Sequence, residues 1–432
     1  MAYSAYALPL AMAALPVYVH VPKLYAGELG LPLATVGAIL LGCRLLDALQ
    51  DPLFGYLSDR VSQRGPGRRL LVLLSVPLLA AGFVGLFRPP AAEAWMLSLW
   101  LISCLVVVYL GFSMGSISYY AMGAELCRDY HERTRLTATR GAVAVIGVLV
   151  AAGVPEALSV TDGAQDGLAL FSLAFAPVLV LAAIITVRGT PKPVRAGDGA
   201  GRPGTNLYRA LIGPLHNRAY RWLIAVSVLS GIAAAIPGTL ILFYVQDVLR
   251  RPDLSGLFLA LYFLFGAAGM PVWIAASRRA GKKRAWLIGM LLSVAAFVWA
   301  YLLGPSDVLA FAFVCMLSGT AYGAELAIPP SILADIVDRD GSTQRPDGAY
   351  FDIWQMIDKL NLALAAGLAL PLLQWLGYTP GSAQPAHAPL SFMYALVPCA
   401  IKLAAIVCLQ AAPIEARQVL PLDLNRTGAT PS

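Results

Sequence analysis

The most constraining feature of this sequence is a series of apolar runs, each long enough to cross a bilayer, that recur along nearly the whole chain. A bilayer core about 30 Å thick needs about 20 apolar residues in helical conformation. The breaks between runs are short and charged or rich in Pro and Gly, as in loops. The runs lie near 4–27, 34–58, 69–88, 94–123, 138–160, 168–187, 221–247, 255–277, 284–304, 307–334, 349–376 and 390–412. We therefore predict an all-α membrane protein with twelve transmembrane helices; the short alternating segments of a β-barrel are absent from the sequence.

The composition excludes several other classes of protein. Apolar residues make up 59% of the 432 residues and charged residues 13%. A soluble domain carries about 25% charge, so this chain has too little charge to cover a water-facing surface. A soluble enzyme, a disordered chain and a nucleic-acid binder are therefore excluded. The 6 cysteines form no CxxC pair, which predicts neither disulfides nor a metal site.

The lysines and arginines predict the orientation. If the N-terminus is inside, the outer loops hold only Lys23, Arg88, Arg250 and Arg251, and the spans hold Arg44, Lys359 and Lys402. All the other Lys and Arg residues fall in inner loops or the C-terminal tail, as the positive-inside rule requires. The net charge of +7 therefore marks cytoplasmic loops. We predict a multi-pass protein of the bacterial inner membrane with both termini cytoplasmic and no cleaved signal peptide.

A polar interruption divides the spans into six and six. The segments are an N-terminal six-helix bundle (1–187), a Pro/Gly/Arg-rich cytoplasmic linker (188–218), a C-terminal six-helix bundle (219–412) and a cytoplasmic tail (413–432). A basic, glycine-containing turn follows the second span of each half, at 55–69 and 270–284. This pattern is typical of the parallel repeats of secondary transporters, whose sites lie where the repeats meet. In these turns we expect a cytoplasmic gate formed by Asp59, Arg60, Arg68, Arg279 and Lys282.

Span 2 carries three charges on one helical stripe, because Arg44, Asp47 and Asp51 have i, i+3 and i+7 spacing. Charges inside a membrane span usually face the protein interior and are functional. Two carboxylates one turn apart repel each other unless a cation or a proton lies between them. We predict a Na⁺ or H⁺ site at Asp47 and Asp51. The alternative is an internal salt bridge in which Arg44 neutralises one carboxylate.

Span 11 carries a second group of polar residues. Asp352, Gln355 and Lys359 share a face, and Asp358 is turned about 100° away from it. The ammonium of Lys359 is suited to contact a substrate or to replace a departing cation beside a carboxylate. The alternative is a structural pair between Lys359 and an aspartate.

Span 4 presents a hydroxyl stripe of Ser113, Ser116 and Tyr120. The stripe is suited to complete a cation site or to contact a substrate, and small residues serve helix packing equally well. Arg140, at the start of span 5, reaches the cavity or stays in the loop, and Lys402 in span 12 is expected to snorkel to the interface.

One motif points to a different class. The sequence GFSMG (111–115) satisfies G-x-S-x-G, the nucleophile motif of serine hydrolases, which requires a strand-to-helix turn. Here the motif lies inside a predicted membrane helix, where it also forms a G-x-x-x-G packing pattern. An intramembrane hydrolase using Ser113 is a remote alternative, and we expect that the protein is not an enzyme.

Four stretches (41–60, 119–140, 217–249 and 334–364) resemble the glycoside–pentoside–hexuronide:cation symporters, a branch of the major facilitator superfamily. The resemblance covers nearly the whole chain and implies two six-helix bundles with alternating access to a central cavity. It places Asp47 and Asp51 at the family's cation-binding carboxylates and Ser113 at a cation-site hydroxyl. It also matches Lys359 to the family's span 11 lysine and Arg44 to the basic residue of the span 2 motif.

Ala14 and Ser116 occupy the positions where the resemblance places the family's sugar-binding carboxylates. The cation site therefore matches the family and the sugar site does not. The resemblance implies a Na⁺- or H⁺-coupled symporter of a small organic solute, sugar or glycoside-like, with a lysolipid or other amphiphile as the alternative cargo. The expected cavity residues are Arg44, Ser116, Tyr120, Arg140, Trp354, Gln355 and Lys359. The expected partners are the solute, the coupling cation and the bilayer. We expect a monomer with no cofactor and no nucleic acid.

Overall fold

The structure is a computed structural model that describes residues 2–63, 67–126, 130–162, 164–191, 213–305, 307–340, 348–381 and 387–413. Within these ranges twelve helices are long and apolar enough to cross a membrane, and no strand occurs. The prediction of an all-α membrane protein with twelve spans is therefore confirmed. Most of the predicted linker (188–218) and the predicted tail beyond residue 413 lie outside the described residues.

The first six helices are α1 (Ala7–Pro22, flanked by Ala2–Tyr6 and Lys23–Glu28), α2 (Leu33–Gln63), α3 (Arg68–Leu86), α4 (Ala94–Leu126), α5 (Tyr130–Asp162) and α6 (Ala164–Gly189). The next six are α7 (Arg218–Phe243, continued by Tyr244–Val248), α8 (Ser255–Ala280), α9 (Lys282–Ala300), α10 (Val308–Asp340), α11 (Gly348–Trp375) and α12 (His387–Ser391, Phe392–Leu396 and Val397–Ala411).

Several helices extend past the apolar runs that predicted them. α10 has 33 residues and is therefore about 50 Å long, well beyond a bilayer core about 30 Å thick. Its polar last turns reach Asp340, whereas the predicted span ends at 334. The hydropathy of a run measures the part that lies in lipid, and backbone hydrogen bonding continues the helix into water.

The two halves repeat the same local architecture. α1 and α7 both end in a π-helical turn. At the first turn Tyr25 donates its hydroxyl to the carbonyl of Leu86 (3.0 Å). At the second, Tyr244 donates to the carbonyl of Ala300 (2.6 Å). In each half, then, the end of the first helix is tied to the end of the third, as a parallel repeat requires.

The two bundles meet along three helix pairs: α1 with α7, α2 with α11, and α5 with α8. These contacts gather at the end that carries the α1–α2 and α11–α12 loops. A Cβ on Gly37 of α2 would lie 2.9 Å from Pro371 of α11, and the amide of Ala34 donates to Gln374 (2.7 Å). Small residues allow this close approach. Toward its other end α2 is more open, and Leu53 there is 69% exposed.

Candidate functional site

A cluster of four charged side chains lies where α2 and α4 of the first bundle face α11 of the second. The ammonium nitrogen of Lys359 lies 2.6 Å from Asp51 Oδ2 and 3.1 Å from Asp47 Oδ2. It also donates to Ser113 Oγ at 3.1 Å. The lysine of one bundle therefore fills a cage of three oxygens supplied by the other.

Asp47 is the most enclosed member of the cluster, with its side chain only 1% exposed. Its Oδ1 accepts hydrogen bonds from Ser113 Oγ (2.7 Å) and Gln50 Nε2 (3.1 Å). Its Oδ2 accepts from Arg44 (3.1 Å). A buried carboxylate is stable when hydrogen bonds and opposite charge surround it in this way.

Arg44 is held in place from both sides. Its guanidinium lies 4.4 Å above the ring of Tyr109 and pairs with Asp47, so a cation–π contact and a charged hydrogen bond fix its position. Arg44 thus neutralises one of the two carboxylates, and the remaining negative charge is neutralised by Lys359.

Asp51 retains an unused ligand atom. Its Oδ1 is buried and has no hydrogen-bond partner among the described residues, although Oδ2 binds Lys359. A buried acceptor without a partner is costly. The oxygens of this cluster are the type of ligand that hard cations prefer, which is the chemistry that the predicted cation site requires.

The structure brings together the residues that were predicted to act on the cation. Asp47, Asp51 and Ser113 share one cage with Lys359, and Arg44 lies directly behind it. Both alternatives considered for these residues, an Arg44 salt bridge and a Lys359–Asp pair, also exist in this geometry. The role in cation binding stays a prediction.

A cavity of about 330 Å³ lies mainly within the second bundle. Its walls come from all six helices of the second bundle, α7 to α12, with Tyr18 and Val19 of α1. Of the seven predicted cavity residues, Trp354 alone is among those that line it. The polar side chains at its surface are Tyr18, Ser227, Ser230, Tyr262, Ser318, Tyr322, Glu325, Trp354, Asp358, Asn361 and Tyr394.

The other predicted cavity residues lie outside this lining. Ser116 is buried in α4, with its Oγ 3.5 Å from the carbonyl of Ser113. Arg140 lies with its guanidinium 4.7 Å above the ring of Tyr120, so these two residues pair with each other. Gln355 is exposed on α11. The polar lining of the cavity therefore comes mostly from residues that the sequence reasoning did not select.

A second charged cluster was missed. Lys402 of α12 is 4% exposed and donates to Glu325 Oε1 (2.9 Å) and Ser230 Oγ (2.8 Å). The prediction that it snorkels to the interface was therefore wrong. Glu325 also accepts from Ser230 Oγ (2.7 Å) and from the indole of Trp286 (3.0 Å). Paired charges can stay in the protein interior, where an unpaired lysine would have to reach the interface. Glu325 in span 10 could have predicted this cluster, because a charged residue inside a membrane span usually faces the protein interior, and this rule selected Asp47.

Three of the five predicted gate residues, Asp59, Arg68 and Lys282, pair within their own bundles. Arg68 binds Asp59 (3.0 Å) and Glu125 (2.8 Å), and Lys282 binds Asp335 (2.7 Å) at the equivalent place in the second half. The remaining two, Arg60 and Arg279, are exposed in the last turns of α2 and α8. The arrangement ties α3 to α4, and α9 to α10, in the same way.

The environment of Ser113 does not resemble a hydrolase site. The residue lies within α4 and therefore on no strand-to-helix turn. Its hydroxyl donates to Asp47 and accepts from Lys359, and none of its described partners is a histidine. Its G-x-x-x-G motif packs helices, because a Cβ on Gly111 would lie 2.6 Å from the backbone of Leu79 in α3.

Twelve membrane helices in two repeated bundles, with charged side chains where the bundles meet, define a secondary transporter of the major facilitator type. The family model for MFS/sugar transport proteins matches residues 1–416, and the chain belongs to this family. A solved structure of a bacterial homolog of the human lysosomal transporter Spinster, inward-facing and unoccupied, has the same fold. Its TM-score is 0.68 at 15% identity, over 95% of this chain and 94% of that chain.

Curated relatives differ in the cargo that their names give. A Salmonella typhimurium protein named "Putative 2,3-dihydroxypropane-1-sulfonate exporter" is 28% identical, covering 89% of this chain and 86% of that protein. An Escherichia coli "Putative sulfoquinovose importer" is 25% identical (89% and 83%). A Xenopus tropicalis "Sodium-dependent lysophosphatidylcholine symporter 1" is 21% identical (80% and 73%).

Proposed function

We propose that this protein is a cation-coupled symporter that moves a small, sugar or glycoside-like solute across the bacterial inner membrane by alternating access. The observation that carries the proposal is the oxygen cage around Lys359, where two carboxylates and a serine hydroxyl of one bundle hold a positive charge of the other. Membership of the sugar-transport family and relatives named as symporters support it. The coupling ion is Na⁺ or H⁺, and no cofactor takes part.

The cage couples ion binding to movement because it needs one positive guest. Arg44 neutralises one carboxylate permanently, since it is fixed by Asp47 and Tyr109. The second negative charge is neutralised either by Lys359 or by a coupling cation. When the cation enters, Lys359 is released from Asp51, and the charged link between the bundles is broken. The bundles then rock around the substrate, and departure of the cation restores the link.

The orientation follows from the positive-inside rule. The basic turns after α2 and α8 then face the cytoplasm together with both termini, and the end where Ala34 meets Gln374 faces outward. This conformation is therefore closed to the outside. The Arg68 and Lys282 pairs brace the two cytoplasmic ends, and the protein acts as a monomer.

Uptake into right-side-out membrane vesicles tests the coupling. A panel of radiolabelled monosaccharides and glycosides is offered with an imposed Na⁺ gradient, an imposed H⁺ gradient or none. We expect one gradient to drive accumulation, and we expect Asp47→Asn and Asp51→Asn each to abolish the gradient-driven part. Glu93→Gln, which removes a carboxylate outside the spans, is the matched control. If both aspartate variants keep gradient-driven uptake, the assignment fails.

An amphiphile is the second candidate cargo. The cavity wall is largely aromatic and aliphatic, with Leu259, Phe263 and Phe297 among its residues, and one relative is named for a lysophospholipid. Thermal-shift measurements with glycosides and with lysophosphatidylcholine separate the two. Stabilisation by the lysolipid alone would favour the amphiphile.

A further inference from the structure

Two residues that line the cavity in the second bundle have buried polar atoms without a hydrogen-bond partner among the described residues. Asn361 is 4% exposed and Ser227 is 7% exposed, yet Asn361 Oδ1 and Ser227 Oγ have no hydrogen-bond partner among the described residues. Both residues line the cavity. Buried polar atoms are almost always satisfied in folded proteins, so these two atoms point to a guest.

Asp358 adds a carboxylate that no basic side chain neutralises. It lies one turn from both Trp354 and Asn361 on α11, and all three line the cavity. Among the residues that the structure describes, Asp358 forms no ion pair, and it is exposed to the cavity. Glu325 differs, because Lys402, Ser230 and Trp286 already occupy both of its oxygens, whereas Asp358 accepts a neutral hydrogen bond from the side chain of Trp354.

The charge of the lining determines what the cavity can hold. Glu325 and Asp358 contribute carboxylates, and no lysine, arginine or histidine is among the described lining residues. The ammonium of Lys402 contacts the lining residues Glu325 and Ser230 and is already bound to Glu325. A sulfonate or phosphate group would face Asp358 with no basic partner, and an unpaired buried charge is strongly unfavourable. The lining therefore disfavours the sulfonates for which two relatives are named.

The same lining suits a molecule rich in hydroxyl donors. Asp358 and Asn361 Oδ1 are acceptors, and hydrogen bonds to a carboxylate are about twice as strong as neutral ones. Trp354, Tyr262 and Tyr322 provide flat aromatic walls. A volume of about 330 Å³ lies at the small end of ligand pockets, which span about 300–1,000 Å³, and fits a solute of one or two rings.

We propose that this cavity is the substrate site and that it selects hydroxylated solutes without an anionic group, with Asp358 and Asn361 accepting hydrogen bonds from the hydroxyls. The inference rests on the proposed function, because it names the substrate class of that transporter. It also fits the sequence resemblance, which implies that Ala14 and Ser116 stand where related symporters have sugar-binding carboxylates. In this chain the carboxylate that binds the sugar lies on α11 of the second bundle.

Equilibrium binding to the purified full-length protein tests this selectivity. The probes are methyl glucosides, methyl galactosides and their disaccharides, together with sulfoquinovose, in which a sulfonate replaces the 6-hydroxyl of glucose. We expect at least one neutral probe to bind, and to bind at least about tenfold more tightly than sulfoquinovose. Asp358→Asn should weaken the neutral probe by about tenfold, the typical effect of one hydrogen bond to a charged group, and should reduce the discrimination against sulfoquinovose.

Two controls make the result specific. Asp352→Asn removes an exposed carboxylate from the same helix outside the cavity lining and should leave binding unchanged. Asp358→Glu keeps the charge and should retain the preference for neutral probes, which shows whether Asp358→Asn acts through charge or through misfolding.

Three outcomes overturn the inference: sulfoquinovose binding as tightly as the neutral probes, Asp358→Asn without effect, or no neutral probe binding. These outcomes are distinct from failure of the coupling proposal. If binding follows the expected pattern and uptake ignores both cation gradients, coupling fails while this site stands. If a gradient drives uptake of sulfoquinovose, the coupling stands while this selectivity fails.

Discussion

Replacing Lys359 by methionine tests the idea that the cage of Asp47, Asp51 and Ser113 needs a positive guest. The variant keeps the length of the side chain and removes the ammonium that contacts three oxygens at 2.6–3.1 Å. Removing one partner of a buried ion pair costs about 3–5 kcal/mol. Because the side chain of Asp51 is 25% exposed, we expect a loss near the lower end, about 3 kcal/mol.

The loss should be reversible by the coupling ion. With the competing ammonium gone, Na⁺ or a proton enters the cage more readily, and a ligand present at 100 times its Kd stabilises the folded state by about 2.7 kcal/mol. Thermal unfolding of the purified protein, measured in choline, in Na⁺ and across a pH series, should show a low Tm that the coupling ion restores. The wild type should respond much less, since its cage is already filled.

Lys282→Met is the matched control. Lys282 pairs with Asp335 at 2.7 Å, and the two side chains are 28% and 35% exposed. We expect a loss of about 1 kcal/mol or less, as for exposed ion pairs, with no recovery in Na⁺ or at lower pH. The reasoning is refuted if Lys359→Met is as stable as the wild type in choline, or if its stability responds to neither ion.

Three further predictions concern other parts of the structure. Lys402→Met should lower the free energy of unfolding by about 3 kcal/mol, and adding Glu325→Gln should recover part of the loss; an additive double mutant in a thermal-unfolding cycle would contradict their pairing. Gly37→Val places a side chain against Pro371, where even a Cβ would lie only 2.9 Å away. The closed end should therefore loosen, and a cysteine introduced there should react faster with a thiol reagent. Arg68→Ala removes two ion pairs whose carboxylates, Asp59 and Glu125, are partly exposed, so the free energy of unfolding should fall by no more than about 1 kcal/mol for each pair; a larger fall, measured by thermal unfolding, would show that Arg68 is essential to the fold.

The sequence was sufficient for the fold and for part of the site. Hydropathy is a local property, so the twelve spans followed from it directly. Arg44, Asp47 and Asp51 were identified because helical spacing fixes which residues of one helix share a stripe. The same reasoning placed Asp358 away from the face of Lys359, and Asp358 indeed lines the cavity.

The other features of the site depended on contacts between helices that are distant in the sequence. Lys402 was expected at the interface because its partner Glu325 lies 77 residues away, and spacing within one helix says nothing about such a pair. Ser116 and Tyr120 were assigned to the cavity because they share a stripe with Ser113. The described cavity lies mainly in the other bundle, so this stripe does not border it.

By itself the sequence determined the number of membrane helices, the division into two halves and the charges that each helix must shield from lipid. All three follow from the free energy of moving apolar and charged groups between water and bilayer, which is set residue by residue. The tertiary structure alone decided that Lys359 fills a cage 308 residues away, that Lys402 is buried against Glu325, and that the cavity is lined by Asp358 and Asn361. Those facts depend on how each helix is rotated about its axis against its neighbours, and that rotation is set by packing between helices.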